Sequence, residues 1–131
     1  MKRYYDVVVV GGGPAGSMAA RYAAELGVSV LILEKDRDIG YPVRCGEAVS
    51  RKGVEEFIEP DEKWIASHIT KLSMNAPDGT EVVLPSSRRG ICAREKSFDY
   101  ELAKSAANAG VEISPERMLM DFFSMVMQSP C

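Results

Sequence analysis

Two short apolar runs set the reading frame of the chain. Residues 5–10, Tyr-Asp-Val-Val-Val-Val, are rich in β-branched side chains, and residues 28–33, Val-Ser-Val-Leu-Ile-Leu, form a second run. Neither alternates polar with apolar, so both read as strands buried on both faces of a parallel sheet. Between them, residues 14–26 open with Pro14, which a first helical turn tolerates because its N–H would be unpaired anyway. Ala15, Ala19, Ala20, Ala23 and Ala24 let this helix lie close to a sheet, and Gly27 supplies its stop. Strand, helix and strand within about 30 residues make a βαβ unit.

Residues 36–45 carry charges, Gly40 and Pro42 without periodicity, which makes a loop long enough to expect a function of it. Residues 47–58 have a helical spacing of apolar side chains at Ala48, Val49, Val54, Phe57 and Ile58, interrupted by Gly53. Residues 69–76 and 80–84 flank Pro77-Asp78-Gly79, the signature of a hairpin inserted between the parallel elements. Residues 90–94 read as a further strand. Ser97 is the expected N-cap of a helix with Asp99 and Glu101 in its first turn and Phe98, Leu102, Ala103, Ala106 and Ala107 on its apolar side. Gly110 closes that helix, and residues 111–113 begin a third parallel strand. The fold class is α/β, a Rossmann-like βαβ domain with an inserted β-hairpin, over residues 1–113. Residues 114–131 differ: Met118, Met120, Met125 and Met127 crowd beside Phe122 and Phe123 and fit neither period. This stretch reads as an atypical tail, the mark of a truncation or a change of frame.

Composition narrows the partners. Sixteen basic against 19 acidic residues leave a charge of −3, no footprint for nucleic acid or an anionic membrane. Three widely spaced cysteines, Cys45, Cys92 and Cys131, make neither a disulfide framework nor a metal knuckle. No metal is expected, and a reducing cytoplasm fits. The N-terminus enters a strand directly, without a secretory segment, and no apolar run approaches the ~20 residues that span a bilayer. Any membrane contact is expected to be peripheral.

The candidate chemistry lies in the first turn. Gly11, Gly13 and Gly16 form G-x-G-x-x-G between a strand and a small-residue helix. The first glycine permits the tight turn, the second lets a pyrophosphate approach the backbone, and the third lets helix and strand pack closely. Glu34, 18 residues after Gly16, ends the second strand where it would meet the ribose hydroxyls of an adenosine. Its charge would repel a 2′-phosphate, which favours FAD or NAD over NADP; spacing leaves both open.

The run Tyr5-Asp6-Val7-Val8-Val9-Val10-Gly11-Gly12-Gly13-Pro14-Ala15-Gly16-Ser17, with Glu34-Lys35 and Ile39-Gly40-Tyr41-Pro42-Val43-Arg44-Cys45-Gly46-Glu47, resembles the geranylgeranyl reductase family over residues 4–113. The resemblance implies a fold of the aromatic-hydroxylase type, bound FAD, and reduction of trisubstituted alkenes in the isoprenoid chains of archaeal-type membrane lipids. It implies cofactor contacts at Gly11, Gly13, Ala15, Gly16, Glu34, Lys35, Cys45, Gly46 and Ala48. Arg94, ahead of Phe98-Asp99, resembles a further family signature that binds the cofactor. Three residues stand in that gap where the family has two, so Glu95 occupies the usual place of the arginine.

An unconjugated alkene needs a proton as well as a hydride, hence an acid in an apolar site. Cys45 is the candidate that the resemblance places beside the flavin. Electrons are expected from ferredoxin or NAD(P)H. The family's later segments that hold the pyrophosphate and ribitol are absent from the chain, which is therefore expected to bind flavin weakly and to be inactive alone. An aromatic hydroxylase-like monooxygenase and a non-catalytic dinucleotide-binding fragment are the other readings. His68 reads as a partly buried surface residue, Cys92 as a small hydrophobe in a strand, and Arg88-Arg89 as a solvated loop pair.

Overall fold

The computed structural model describes residues 4–120, and of residues 85–89 the backbone alone. Strand β1 (Val7–Val10), helix α1 (Pro14–Glu25) and strand β2 (Val30–Leu33) form the expected βαβ unit. They are followed by β3 (Ala48–Ser50), α2 (Arg51–Glu55), β4 (Ile65–Asn75), β5 (Glu81–Ala93), α3 (Glu95–Asn108) and β6 (Glu112–Ser114). β1, β2 and β6 make a parallel sheet in the order β1-β2-β6, with Val7 opposite Val30 and Leu31 opposite Glu112. The third parallel strand is thus where the apolar pattern placed it.

Among the described strands of this sheet, β2 alone is buried on both faces. Val30, Leu31, Ile32 and Leu33 are each at most 2% exposed, and each contributes roughly 1.5–3 kcal/mol by leaving water. β1 departs from the expectation, with Val7, Val8 and Val10 at 36%, 37% and 59% exposure. Among the described residues β1 is hydrogen-bonded on one side only, and of its valines only Val9 packs on the core. A β-branched run reports strand preference, whereas central placement depends on neighbours. On the core face, Ala20 of α1 and Ala106 of α3 are fully buried and pack with Val30, Ile32 and Val111. The alanines therefore bring α1 and α3 together over the sheet.

β3, β5 and β4 form a second, antiparallel sheet. The hairpin turn is the expected one: Gly79 sits at φ +89°, Asp78 accepts from the Thr80 N–H at 2.9 Å, and Ala76 N–H donates to the Thr80 carbonyl at 2.8 Å. The strands are longer than alternation indicated. Ile69 pairs with Gly90 and Lys71 with Pro85, so residues 86–89 of β5 stand against residue 70 alone on β4, and this irregularity masks one continuous strand. Arg88 and Arg89 accordingly belong to β5 and not to a loop, their side chains lying outside the described ones.

Two further corrections concern local signals. The helix expected over residues 47–58 is confined to Arg51–Glu55, capped by Ser50, whose Oγ accepts from Gly53 N–H at 3.4 Å. Ala48, Val49 and Ser50 instead pair with Cys92, Ile91 and Gly90, and a three-residue strand is too short to show a period. α3 begins at Glu95, ahead of Ser97, and Arg94 at its N-cap makes no side-chain cap. The first amide of α3 is satisfied from a distance, by Glu47 Oε1 at 2.7 Å from Glu95 N.

Trp64, Ile65, Ile91, Ala93 and Val54 form a second core, with the Trp64 and Phe98 rings 4.9 Å apart. His68 is exposed, not partly buried, because it lies on the open face of β4, with Nε2 3.6 Å from Glu62 Oε1, and Cys92 is half-buried on β5. Of the methionine-rich stretch, Phe122, Phe123, Met125, Met127 and Cys131 lie outside the described residues.

A Cβ on Gly16 would stand 2.0 Å from the Gly11 carbonyl oxygen, a backbone atom that cannot give way, whereas one on Gly13 would meet nothing within 4 Å. Gly16→Ala is therefore expected to lose about 3 kcal/mol or fail to fold, and Gly13→Ala to lose no more than about 1 kcal/mol. Urea unfolding of both variants checks the contrast.

Candidate functional site

The C-terminal ends of β1 and β2, the start of α1, the loop of residues 36–45, the start of α3 and residues 117–120 enclose a cleft of ≈ 560 Å³. Gly11 turns the chain at its floor with φ +99°, and its N–H donates to the Leu33 carbonyl at 2.8 Å. Ser17, fully buried, donates its hydroxyl to the Gly12 carbonyl at 2.8 Å. Gly13 is the N-cap of α1 and offers no side-chain cap. The first amides of α1 thus have no acceptor within the helix and lie at its positive end, beside the open space over Gly13.

Glu34 closes the other side. It is buried, and its Oε2 accepts from Gly12 N–H at 2.7 Å while Oε1 accepts from Asp36 N–H at 2.9 Å. Each carboxylate oxygen retains a second lone pair, the acceptor that a vicinal diol of a ribose requires. Residues after β6 return to the same place: Arg117 N–H donates to the Glu34 carbonyl at 2.8 Å.

The loop of residues 36–45 is pressed onto α3. At Gly40, φ +76°, a Cβ would stand 2.8 Å from Lys96 Cα and 3.0 Å from Asp99 Cβ. The Arg44 guanidinium reaches Asp36 Oδ2 at 3.2 Å, and Lys96 Nζ lies 5.5 Å from the centroid of the Tyr41 ring. Asp99 is buried there, and that burial, reinforced by the negative charge of Glu95, raises its carboxyl to about 6.

The structure brings Gly11, Gly13, Glu34 and Lys35 together on the cleft wall. Ala15 is exposed on the first turn of α1, and Gly16 lies beneath it against Gly11. Cys45 carries an exposed thiol at the end of the loop whose Tyr41, Pro42 and Arg44 line the cleft. Gly46 follows it, and Ala48 is exposed on β3 opposite Cys92. Arg94 is not brought into the cleft: its Nη1 donates to the carbonyls of Ile65 at 2.7 Å and Glu62 at 3.0 Å. Glu95, its neighbour, faces the cleft instead. Asp36, Gly40 and Asp99 line the cleft beyond the expected cofactor contacts, as does Glu95, which stands in the usual place of the family's arginine; the i,i+4 spacing of Glu95 and Asp99 places both on one face of α3. Among the described residues no helix is long and apolar enough to cross a membrane.

Residues 6–118 match a family model described as FAD dependent oxidoreductase. The chain is 50% identical over 117 residues to the digeranylgeranylglycerophospholipid reductase of Methanocella arvoryzae, covering 86% of this chain and 30% of that protein. It is 45% identical over 120 residues to the reductase of the same name from Methanothrix thermoacetophila, covering 88% and 31%. The solved structure of a geranylgeranyl bacteriochlorophyll reductase-like protein from Thermoplasma acidophilum is similar at TM-score 0.80 and 40% identity, over 86% of this chain and 30% of that one. The halogenase PltM, solved with phloroglucinol and FAD, shares the fold at TM-score 0.66 and 20% identity, over 86% and 28%. The chain spans about 30% of the length of the curated relatives it matches.

Because the Asp99 carboxyl titrates higher in the folded chain than in the unfolded one, the folded state holds the extra proton between about pH 4 and pH 6. Its contribution to stability is therefore lost as pH rises through that window. Asp99→Asn is expected to gain about 1–2 kcal/mol on the wild type between pH 4 and pH 7.5. Urea midpoints of the two proteins at both pH values measure this, and an equal difference at both would refute it.

Proposed function

The chain belongs to the FAD dependent oxidoreductase family, and from that membership we propose that it is the ADP-binding part of a flavoprotein that saturates the geranylgeranyl chains of isoprenoid membrane lipids. Dinucleotide binding is proposed for this span and lipid reduction for the whole protein. The observation that carries the reading is the open space over Gly13, between the uncapped start of α1 and the buried carboxylate of Glu34. A diphosphate fits the first, and a ribose diol fits the second.

On this reading the α1 amides at Ala15 and Gly16 receive the diphosphate, Glu34 takes the adenosine ribose, and Lys35 flanks it. Cys45, Gly46 and Ala48 approach the flavin end. Arg94 acts by holding the start of α3 to the carbonyls of residues 62–65 and does not touch the dinucleotide. The chemistry that reduced FAD supplies when bound is hydride donation to an alkene. The matching proton is assigned to Cys45 Sγ. Electrons reach the protein from a reduced carrier such as ferredoxin or from NAD(P)H, and contact with the membrane is peripheral, through the lipid substrate. The names of the curated relatives and the resemblance of residues 39–47 support the substrate class.

The test joins residues 1–113 to the remaining two-thirds of the Methanocella relative and measures bound FAD and, with dithionite as reductant, saturation of a geranylgeranyl phospholipid. The fusion is expected to be yellow and active. Gly13→Val is expected to keep its fold and lose FAD affinity at least about tenfold, and Cys45→Ser to keep FAD and lose rate. A Gly13→Val fusion with full flavin content would sink the binding reading, and a Cys45→Ser fusion of unchanged rate would remove the proton-donor role.

A further inference from the structure

The segment that ends in Cys45 and the start of α3 exchange hydrogen bonds in both directions. Arg44 N–H is shared between Glu95 Oε1 and Oε2, at 3.2 and 3.1 Å, and Cys45 N–H donates to Glu95 Oε2 at 2.9 Å. In return, Glu47 Oε1 accepts from the Glu95 N–H at 2.7 Å, and the Glu47 carbonyl accepts from the Ala93 N–H at 2.7 Å. Glu47 holds this position with φ +60°, a conformation uncommon outside glycine, sustained where surrounding bonds over-determine it.

An acidic residue in a first helical turn ordinarily answers the amides of its own helix. Glu95 reaches two consecutive amides some 50 residues away in sequence instead. The Arg44 guanidinium does not draw it there, because that group is engaged by Asp36 Oδ2 at 3.2 Å. The backbone itself is the target.

We propose that Glu95 and Glu47 form a reciprocal clasp that positions the Cys45 thiol, with Glu95 as the positioning residue. Its carboxylate consumes the Arg44 and Cys45 amides and leaves the thiol exposed at the end of the cleft loop. Bonds to an ionised acceptor are the stronger kind, and two on adjacent amides set the orientation of the intervening peptide. Gly40 against α3 and Lys96 against the Tyr41 ring fasten the same loop upstream, so the thiol lies at the end of a segment fixed at several points. The bearing of the clasp on catalysis rests on the flavin-site reading above, but its existence does not.

Hydrogen exchange and iodoacetamide alkylation, both read by peptide mapping on the 131-residue chain without added dinucleotide, test the clasp. Glu95→Ala is expected to speed exchange at the Arg44 and Cys45 amides by about tenfold or more and to change Cys45 alkylation severalfold, with Cys92 alkylation unchanged. Glu95→Gln, which keeps a neutral acceptor, is expected to fall between wild type and Glu95→Ala and carries the test if the alanine variant does not fold. Wild-type exchange at Arg44 and Cys45 in either folded variant would overturn the proposal, as would an increase spread evenly along α3, the result of a merely structural role. FAD titration of the wild-type fusion is read separately: failure to bind defeats the flavin-site reading and leaves the clasp standing.

Discussion

Where α1 leaves β1, one α-carbon lies so close to a carbonyl that no side chain fits between them. The Gly16 position, 2.0 Å from the Gly11 oxygen for any added Cβ, determines how near the helix approaches the strand. That approach sends the Ser17 hydroxyl onto the Gly12 carbonyl, brings the Gly12 amide to Glu34, and seats Ala20 in the core. It also aims the uncapped start of the helix into the space between the strand ends. The cleft is thus a by-product of a packing distance that only glycine allows.

The electrostatics of the cleft follow from the same economy of side chains. Glu34, Asp36, Asp38, Glu95 and Asp99 all line it, a crowding that would oppose a diphosphate if each carboxylate faced it uncompensated. Backbone amides compensate Glu34 and Glu95, the Arg44 guanidinium and Arg37 answer Asp36 and Asp38, and burial beside Glu95 raises the Asp99 carboxyl to about 6. What remains for a ligand is the positive end of α1 and the spare lone pairs of Glu34. A site with five acids can therefore accept an anion at one end and hydroxyl groups at the other.

The elements that were legible in advance are those whose cause is local. Gly11, Gly13 and Gly16, the alanines of α1, Glu34 at the end of β2, the Pro77-Asp78-Gly79 turn and the third parallel strand each declare themselves within a few residues. The misreadings share the opposite property. β3 exists only because β5 is beside it, β5 is continuous only because its irregularity is bridged by β4, and α3 starts at Glu95 because a glutamate 48 residues earlier caps it. Arg94 and Glu95 differ in the same way: adjacent in sequence, one turns to the carbonyls near Trp64 and the other to the loop of Cys45.

The amino-acid sequence by itself determined the βαβ unit, the glycine turn, the acid at the end of the second strand and the family likeness of residues 39–47, because backbone sterics and side-chain period act over one or two turns. Only the tertiary structure decided that among the described residues β1 pairs on one side alone, that Glu95 rather than Arg94 faces the cleft, and that the amide of Cys45 is already engaged. Those outcomes rest on hydrogen bonds and burial between segments tens of residues apart, and a linear pattern carries no record of which distant carboxylate an amide will meet.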